Sequence, residues 1–347
     1  MTIAANSMTL ADYALTSNSE LVRAVTYSLI DNGSVIQDVP LTNKKTLIAN
    51  GVRFEGNLPT VNWSPLNAEG VTTKGTPTPY QEQLFLVRNY IDVDKIYVEE
   101  ENAIVNPRAV QEEAYLKALT YDTNYKFFNN DHIAGDTNSF IGLKYRIDNG
   151  GTYGVRPENK IDAGGTDISL AGVSQANANK FLVYIDQLLW SVASPDGTGV
   201  VLYMNEVMKR LFASAIRTMG TSGGFTVMQD QFNRTIQMYK GAIVRDPGYK
   251  ADQSTRIIAG NGLSGSSATG ETSAGATSTG ASAVYTSVYA VNYSDGHFNG
   301  WQFEDPNVLD LGLINNGVIY RTVIDWAIGF INNSTRSIGR LYDIKIA

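Results

Sequence analysis

The sequence lacks cysteine altogether and has only two histidines, His132 and His297, among its 347 residues. Without cysteine the chain can form no disulfide, no thiolate metal site and no cysteine nucleophile. Two histidines are too few for most transition-metal sites and give little basis for histidine acid–base catalysis, so we interpret both as structural residues. We expect no metal ion, no cofactor and no catalytic residue, which makes an enzyme the weaker interpretation.

Long apolar segments are also missing. No run approaches the roughly 18 apolar residues that a membrane-spanning helix requires. The first ten residues lack the basic region and the apolar stretch of a signal peptide. We expect a protein that is made and kept in a cytoplasm and has no membrane partner.

Positive charge is in short supply as well. The chain has 27 Lys and Arg against 34 Asp and Glu, a net charge of −7. This balance argues against a dedicated nucleic-acid binder, which usually presents a basic face. It is compatible with a protein that surrounds packaged nucleic acid and contacts it non-specifically.

What the sequence does contain is enough apolar material for a substantial core. Hydrophobic residues make up 43% of the chain and aromatic residues 10%. A chain of this length and composition can bury the core of one large domain or of two to three lobes.

Residues 44–98 have the composition of a long two-stranded excursion. Two strand-like flanks, Leu47–Phe54 and Tyr80–Val98, enclose a middle rich in Gly, Pro, Thr and Asn. Prolines and repeated glycines exclude a helix or a central sheet strand there. Because an isolated ribbon is only marginally stable in water, one that carries Phe54 and Trp63 is expected to bury them on a partner surface. The alternative is a large loop that folds back on its own domain.

The strongest helix signal runs from Asn106 to about Asn129. Asn106 suits the N-cap position and Pro107 the first helical position. Helical spacing predicts that one stripe packs into the core: Val110, Ala114, Ala118, Tyr121, Tyr125 and Phe128. The helix would be a rod about 36 Å long. The following segment, Ser139–Ile147, alternates like a strand.

From about residue 168 to residue 293 the pattern becomes α/β. Ser174 and Asn205 suit the N-caps of two helices, and the apolar run 200–204 between those helices predicts a buried strand. Further strand-like pieces are Phe225–Met228, Thr235–Tyr239, Ala242–Arg245, Arg256–Ala259 and Tyr285–Tyr293. Within residues 261–283, 20 of 23 residues are Gly, Ser, Thr or Ala. This composition predicts a mobile surface loop, because no aromatic residue is present to bury.

Both ends of the chain have recognisable patterns. Ser19 suits the cap of a short helix over residues 20–29. Near the other end, strict alternation over residues 318–330 predicts a long strand with one buried face. A turn at residues 332–334 then leads to a final short strand that ends at Ile346.

The chemical motifs are weak. Residues 260–265 match G-x-G-x-x-G, but the glycine- and serine-rich residues that follow are a poor start for the helix that a dinucleotide site needs. Asp92 and Asp94 could share one strand face, and with Lys95 beside them a surface charge pattern is favoured over a hydrolytic pair. No nucleophile, base and orienting group come together.

The order of these elements resembles the major capsid proteins of tailed bacteriophages, which have the Hong Kong 97-type fold. Local stretches are similar to that family as well: Met8–Ala14 with Leu21–Val25, Phe54–Pro59, Phe140–Leu143 and Leu202–Asn205. None of these stretches is diagnostic by itself, and the ordered set covers nearly the whole chain.

The resemblance implies an α+β fold with four parts. They are an N-arm at 1–43, an extended E-loop hairpin at 44–98, a P-domain at 99–165 and 304–347, and an α/β A-domain at 166–303. The P-domain would contain the long spine helix and long β strands. Residues 261–283 would be a flexible insertion in the A-domain.

The resemblance also implies a function. The chain would be a major head protein that assembles as hexamers and pentamers into an icosahedral shell around phage double-stranded DNA. Its location would be the virion capsid, after assembly in the cytoplasm of a bacterial host. The E-loop residues expected at the interface between subunits are Phe54, Leu58, Trp63, Lys74 and Tyr80.

Some relatives carry a scaffolding segment ahead of the arm. Since this chain starts almost at the arm, a separate scaffolding protein and a portal are expected as partners. Some relatives cross-link a loop lysine to an asparagine of the adjacent subunit. Lys74 lies in the ribbon, but the sequence identifies neither an activating acid nor a partner asparagine, so we predict no cross-link.

Two alternatives remain open from the sequence. One is another structural protein that forms multimers, such as a tail or surface-layer component or an encapsulin-like shell without DNA. The other is an α/β enzyme in which the segment 261–283 acts as a mobile lid. The missing catalytic constellation counts against the enzyme.

Overall fold

The computed structural model describes residues 34–53, 58–99, 107–194, 196–220, 225–229, 235–263, 269–271, 277–279, 283–314 and 317–347. The helix predicted over residues 20–29 and the predicted cap Asn106 lie outside these residues. Within them, the chain forms two large β-sheets, a two-stranded ribbon and several helices. None of the helices in this part of the chain is long and apolar enough to cross a lipid bilayer.

The larger sheet has nine strands among the described residues. Along its main path they are β11 (Thr277–Thr279), β10 (Thr269–Glu271), β12 (Tyr285–Asn292), β6 (Val200–Tyr203), β9 (Ala242–Arg245), β8 (Thr235–Tyr239) and β7 (Phe225–Gln229). Strand β16 (Ile338–Lys345) also pairs with β12, and β5 (Lys160–Asp167) pairs with β16. The pairs β6–β9 and β5–β16 are parallel.

Strand β6 lies inside this sheet and is buried on both faces. Val200 and Leu202 belong to a core that includes the helices on one side, whereas Val201 and Tyr203 belong to the core on the other side. A strand covered on both faces needs a continuous apolar run, which is the pattern that predicted it.

Two helices pack on this sheet with the caps that the sequence predicts. They are α6 (Gln175–Ser191) and α7 (Glu206–Thr218). The Ser174 hydroxyl accepts a hydrogen bond from the N–H of Asn177 at 3.2 Å, and the Asn205 side chain accepts one from the N–H of Met208 at 2.8 Å. Both predicted N-caps are confirmed.

The second sheet has five strands. They are β1 (Leu41–Asn43), β4 (Phe85–Asp94), β13 (Phe298–Gln302), β14 (Asn307–Ile314) and β15 (Ile319–Asn332). The 14-residue strand β15 is the centre of this sheet. Strand β4 pairs along one of its edges over ten residues, and β14 and β13 share the other edge. The long terminal strand predicted from strict alternation is confirmed.

The long helix is present as α3 (Pro107–Asn129), and the predicted buried stripe is correct only towards its end. Phe128 is buried and Tyr125 packs against the core, but Val110, Ala114 and Ala118 are exposed. The buried positions of the helix are Leu116, Leu119, Thr120, Thr123, Asn124, Phe127 and Phe128. The buried face of the helix differs from the predicted one because it includes polar residues. The hydroxyls of Thr120 and Thr123 donate to the carbonyls four residues earlier, so these side chains can be buried without hydrogen bonds to water.

The remaining described helices are short: α1 (Ser34–Asp38), α2 (Lys95–Val98), α4 (Leu143–Asp148) and α5 (Gly150–Tyr153). Helix α4 overturns the strand predicted for Ser139–Ile147. Its buried residues Leu143, Arg146 and Ile147 are three and four positions apart, which is helical spacing in a window too short to separate from alternation. Helix α2 likewise replaces the end of the predicted strand Tyr80–Val98.

The strand predicted for Arg256–Ala259 is also wrong. Ile257 and Ile258 are both buried, so consecutive side chains point into the core, and pairing is limited to an isolated antiparallel bridge between Arg256 and Tyr249. Side chains also bind this backbone: Asn129 donates to the carbonyl of Ile257, and Asn205 donates to that of Ile258.

The segment 261–283 differs from a simple surface loop where the structure describes it. Strands β10 and β11 pair with each other, and Glu271 of β10 pairs with Tyr285 of β12. Glu271 is buried because Arg340 of β16 binds its carboxylate at 3.1 Å. The remaining residues of this segment from 264 onward, apart from Ala283, lie outside the described part of the chain.

Candidate assembly surface

The ribbon consists of two antiparallel strands that leave the five-stranded sheet. Strand β2 (Ile48–Arg53) pairs with β3 (Thr78–Gln83) over six residues. Gly51 stands opposite Tyr80, whose ring fills the space that a side chain at Gly51 would need. The described ribbon is shorter than predicted, because residues 85–94 belong to β4 of the sheet.

The base of the ribbon is held to the body by a buried ion pair. Glu82 of β3 accepts hydrogen bonds from both terminal nitrogens of Arg146, at 2.5 and 3.2 Å. Arg146 lies on α4 and also donates to the carbonyls of Ile141 and Phe330. A bidentate pair with additional acceptors fixes both position and orientation. The Tyr80 hydroxyl adds a hydrogen bond to the side chain of Asn333.

Beyond its base, the ribbon has little contact with the rest of the described chain. Residues 58–77 form neither helix nor strand. Trp63 is 96% exposed and Leu66 is 93% exposed. The other large apolar side chains exposed in this segment, which we call the ribbon tip, are Leu58, Val61 and Val71.

The five residues predicted at the interface fall into three groups. Leu58, Trp63 and Lys74 are exposed in the ribbon tip. Tyr80 lies at the base, where it contacts its own chain through Gly51 and Asn333. Phe54 lies outside the described residues.

A second exposed apolar surface lies on the five-stranded sheet. Val323 of β15 is flanked by Tyr90 of β4 and Leu309 of β14, which are its direct partners in the two neighbouring ladders. Tyr90 and Leu309 are both more than half exposed. We call this surface, with Leu86 of β4, the outer sheet face. Helix α3 contacts the opposite face, where Arg108 donates to the hydroxyl of Thr322.

Two ion pairs border the apolar centre of the outer sheet face. Arg88 binds Asp325 at 2.7 Å, and Arg321 binds Asp92 at 2.5 Å. The Arg321 guanidinium lowers the pKa of the Asp92 carboxyl through its hydrogen bonds. Asp92 is therefore half of a surface ion pair, and Asp94 caps α2 by accepting from the N–H of Ile96.

No sequence pattern indicated that Arg146, Glu82 and Asn333 are contacts of the ribbon. Arg146 and Glu82 are 64 positions apart. The only available signal was an arginine at helical spacing with Leu143 and Ile147, which points one charge into the core and implies a buried partner.

The described residues offer little for catalysis or metal binding. They contain no group of three or more His, Asp and Glu side chains that could hold a metal ion. The ring of His132 contacts the carbonyl of Ser139, and that of His297 contacts the carbonyl of Ser294. The backbone of Gly260 is packed against Asn205 and Thr286, without a described helix following it.

Three solved structures with a similar fold come from an encapsulin and two capsids. The chain is similar to the SrpI encapsulin of the holo complex from Synechococcus elongatus PCC 7942, with a TM-score of 0.56 and 10% identity over 97% of this chain and 96% of that one. It is similar to the capsid of Myoviridae phage XM1, with a TM-score of 0.54 and 12% identity over 90% and 91% of the two chains. The capsid of the native GTA particle matches with a TM-score of 0.53 and 12% identity over 91% and 90%.

These matches give the class of the protein: its fold is the α+β Hong Kong 97-type fold of capsid shells. Among curated proteins, none matches the sequence. The family model of the major capsid protein GP7 matches residues 18–250, about two thirds of the chain. The chain belongs to this family and is a shell-forming structural protein of a virion capsid.

Proposed function

We propose that the protein assembles as hexamers and pentamers into an icosahedral shell that encloses phage double-stranded DNA. The observation that carries this proposal is the ribbon tip, where Trp63 and Leu66 are almost fully exposed. A contiguous exposed apolar segment on a soluble protein is typical of an interaction site. In a shell-forming family, a second copy of the chain is the available partner.

The contact that follows is heterologous, because the ribbon tip and the outer sheet face are different surfaces of one molecule. We infer that the ribbon tip of one copy covers the outer sheet face of the next, so that Trp63 packs near Tyr90 and Leu309. Head-to-tail contacts of this kind close into rings when the rotation between copies closes. Hexamers and pentamers are such rings.

We further propose the division of the chain that the family resemblance implies. Residues 1–43 act as the N-arm and residues 44–98 as the E-loop, whose described ribbon base lies on the five-stranded sheet. Residues 99–165 and 304–347 form the P-domain, and residues 166–303 form the A-domain. The two hydrophobic cores, on opposite faces of β6, support two lobes that share one sheet.

The other proposed partners are the packaged DNA and the proteins that assist assembly. An acidic chain with a net charge of −7 would contact double-stranded DNA non-specifically and weakly, which leaves the packaged DNA free to slide. We propose a separate scaffolding protein and a portal as assembly partners, and assembly in the cytoplasm of a bacterial host. The role is structural and includes no catalytic step.

The direct test is removal of the ribbon tip. A variant in which residues 58–77 are replaced by a short Gly-Ser turn is expected to stay folded and soluble but to form no shells. Electron microscopy and sedimentation measure assembly, and thermal unfolding measures the fold. Shells of normal size from this variant would refute the proposed contact.

The match to an encapsulin supports one alternative, a shell that holds cargo and no genome. The two functions differ in what the shell encloses. Particles purified from the native source are expected to contain DNA that resists nuclease, whereas nuclease-resistant DNA would be missing from a cargo shell.

A further inference from the structure

The outer sheet face contains an arginine whose orientation is fixed by a neighbouring strand. Arg321 of β15 stands opposite Asp92 of β4, and its Nε and one terminal nitrogen donate to the two carboxylate oxygens, at 2.6 and 2.5 Å. A bidentate pair sets the plane of the guanidinium as well as its position. Because the two side chains are 31% and 37% exposed, the pair contributes little to folding. Stability therefore gives little reason for a fixed arginine here.

The same arginine lies over an exposed aromatic ring. The Cζ atom of Arg321 is 4.9 Å from the centroid of the Tyr90 ring, which is within the range of a cation–π contact. Tyr90 is more than half exposed, and Arg321 keeps part of its surface in contact with solvent. Asp92, Arg321 and Tyr90 therefore form a cluster with a preset geometry that a second molecule can reach.

This cluster lies at one end of the apolar centre of the outer sheet face. Arg88, which binds Asp325, lies at the other end, four residues before Asp92 on β4. At about 3.4 Å per residue, the two ion pairs are about 14 Å apart along the strand. Tyr90 and its partner in the ladder lie between them. A space of this length can take one large aromatic side chain, and each border of it is a neutral ion pair.

The ribbon tip offers one side chain that suits this space. Trp63 is the only aromatic residue in the segment 58–77, and it is almost fully exposed. Among aromatic side chains, Trp binds cations most strongly through the face of its ring. Glu69 and Lys74 are the only charged residues of the segment, so the ribbon tip carries no net charge. A neutral tip with one indole is complementary to a neutral border with one accessible guanidinium.

We propose that Trp63 of one copy packs against the Arg321 guanidinium of the next, so that Arg321 contacts one aromatic ring of its own chain and one of its neighbour. Asp92 is then a positioning residue, because it holds the guanidinium for the incoming indole. This inference rests on the proposed contact between the ribbon tip and the outer sheet face. It adds the residues that determine where on that face the ribbon docks.

The test measures the critical concentration for shell formation of the full-length protein by sedimentation. Arg321→Gln is expected to raise this concentration about fivefold, because each subunit loses one cation–π contact. Trp63→Leu keeps an apolar side chain and removes the indole, so Arg321→Gln should have no further effect in that background. Arg88→Gln, at the other end of the apolar centre, is the matched control and should change the concentration by less than about twofold.

Two results would overturn this inference. One is an equal fold-change from Arg321→Gln in wild type and in Trp63→Leu, since Arg321 would then act without the indole. The other is an equal effect of Arg321→Gln and Arg88→Gln, which would assign the effect to surface charge in general. Failure of the proposed function gives a different result, because Trp63→Ala would then assemble as wild type does. If Trp63→Ala fails to assemble while the two arginine variants behave alike, the ribbon contact stands and Arg321 is not its receptor.

Discussion

Arg146 holds Glu82 through two hydrogen bonds, and this pair connects helix α4 to the strand that begins the return of the ribbon. The arginine side chain is 1% exposed and the glutamate side chain 11% exposed. Because both groups are removed from water, the loss of one leaves the other charge without compensation. The ribbon therefore has a rigid base and an exposed tip, and the two can be tested separately.

Replacement of Glu82 by Ala tests the base. Loss of the carboxylate leaves the Arg146 guanidinium buried with only carbonyl acceptors, and the expected cost is about 3 kcal/mol of unfolding free energy. Urea unfolding of the full-length protein measures it. Glu69→Ala in the ribbon tip is the matched control and should change stability by less than about 0.5 kcal/mol. Equal stabilities of the two variants would contradict a structural role for the pair.

Replacement of Trp63 by Ala tests the tip. Since the indole is almost fully exposed, unfolding free energy should change by less than about 0.5 kcal/mol. Assembly should be strongly impaired, because a buried Trp at an interface contributes about 2 kcal/mol or more. Sedimentation of the purified protein measures the fraction in shells. Trp190→Ala, an exposed Trp on α6, provides the comparison, and the idea fails if Trp63→Ala assembles as wild type does.

Asn205 is expected to contribute more than an ordinary helix cap. Besides accepting from Met208 through its oxygen, it has two amide N–H donors that lie within reach of four acceptors, the carbonyls of residues 258–260 and the hydroxyl of Thr286. Asn205→Ala removes the cap and strands these acceptors, with an expected cost of about 2–4 kcal/mol. Ser174→Ala removes a cap with one bond and should cost about 1 kcal/mol. Chemical unfolding measures the loss of unfolding free energy in both variants. A larger loss for Ser174→Ala than for Asn205→Ala would contradict this prediction.

Asp252 provides a pH prediction. The hydroxyl and N–H of Thr255 and the N–H of Ser254 donate to its carboxylate and lower its pKa to about 2. Because the folded-state pKa lies below the unfolded one, the stabilisation is complete above about pH 4 and is lost as the pH falls towards about 2. NMR titration measures the value. Thr255→Val should raise the pKa of Asp252 towards about 3.9. A titration of the wild-type carboxyl near pH 4 would refute the arrangement.

Local signals predicted the fold best where one short segment decides the structure. The caps Ser174 and Asn205, the apolar strand β6 and the alternating strand β15 are all confirmed. In each case the relevant interactions lie within a few residues or follow from burial on a known number of faces.

Two of the differences share a physical cause, which is that polar side chains are buried because they have hydrogen-bond or ion-pair partners. On α3, Thr120 and Thr123 are buried because their hydroxyls bond to their own helix, so the apolar stripe alone placed the buried face wrongly. Glu271 is buried because Arg340, 69 positions away, neutralises it. Composition cannot reveal such a partner.

In the candidate surface as well, some features follow from a local segment and others depend on distant residues. The exposure of Leu58, Trp63 and Lys74 follows from a proline- and glycine-rich segment that cannot pair. The base contacts of Tyr80 and Glu82 depend on Asn333 and Arg146, which only the fold brings near. That the ribbon tip binds a neighbouring copy stays a prediction.

The antiparallel ladder between β4 and β15 has a mechanical consequence. Strand β3 continues almost directly into β4, so a pull on the ribbon acts along the axis of β4. The ten residue pairs with β15 would then be loaded in shear and would have to break together rather than one after another. In the proposed contact between the ribbon and a neighbouring copy, tension between subunits would run into this ladder and so into the longest strand of the sheet.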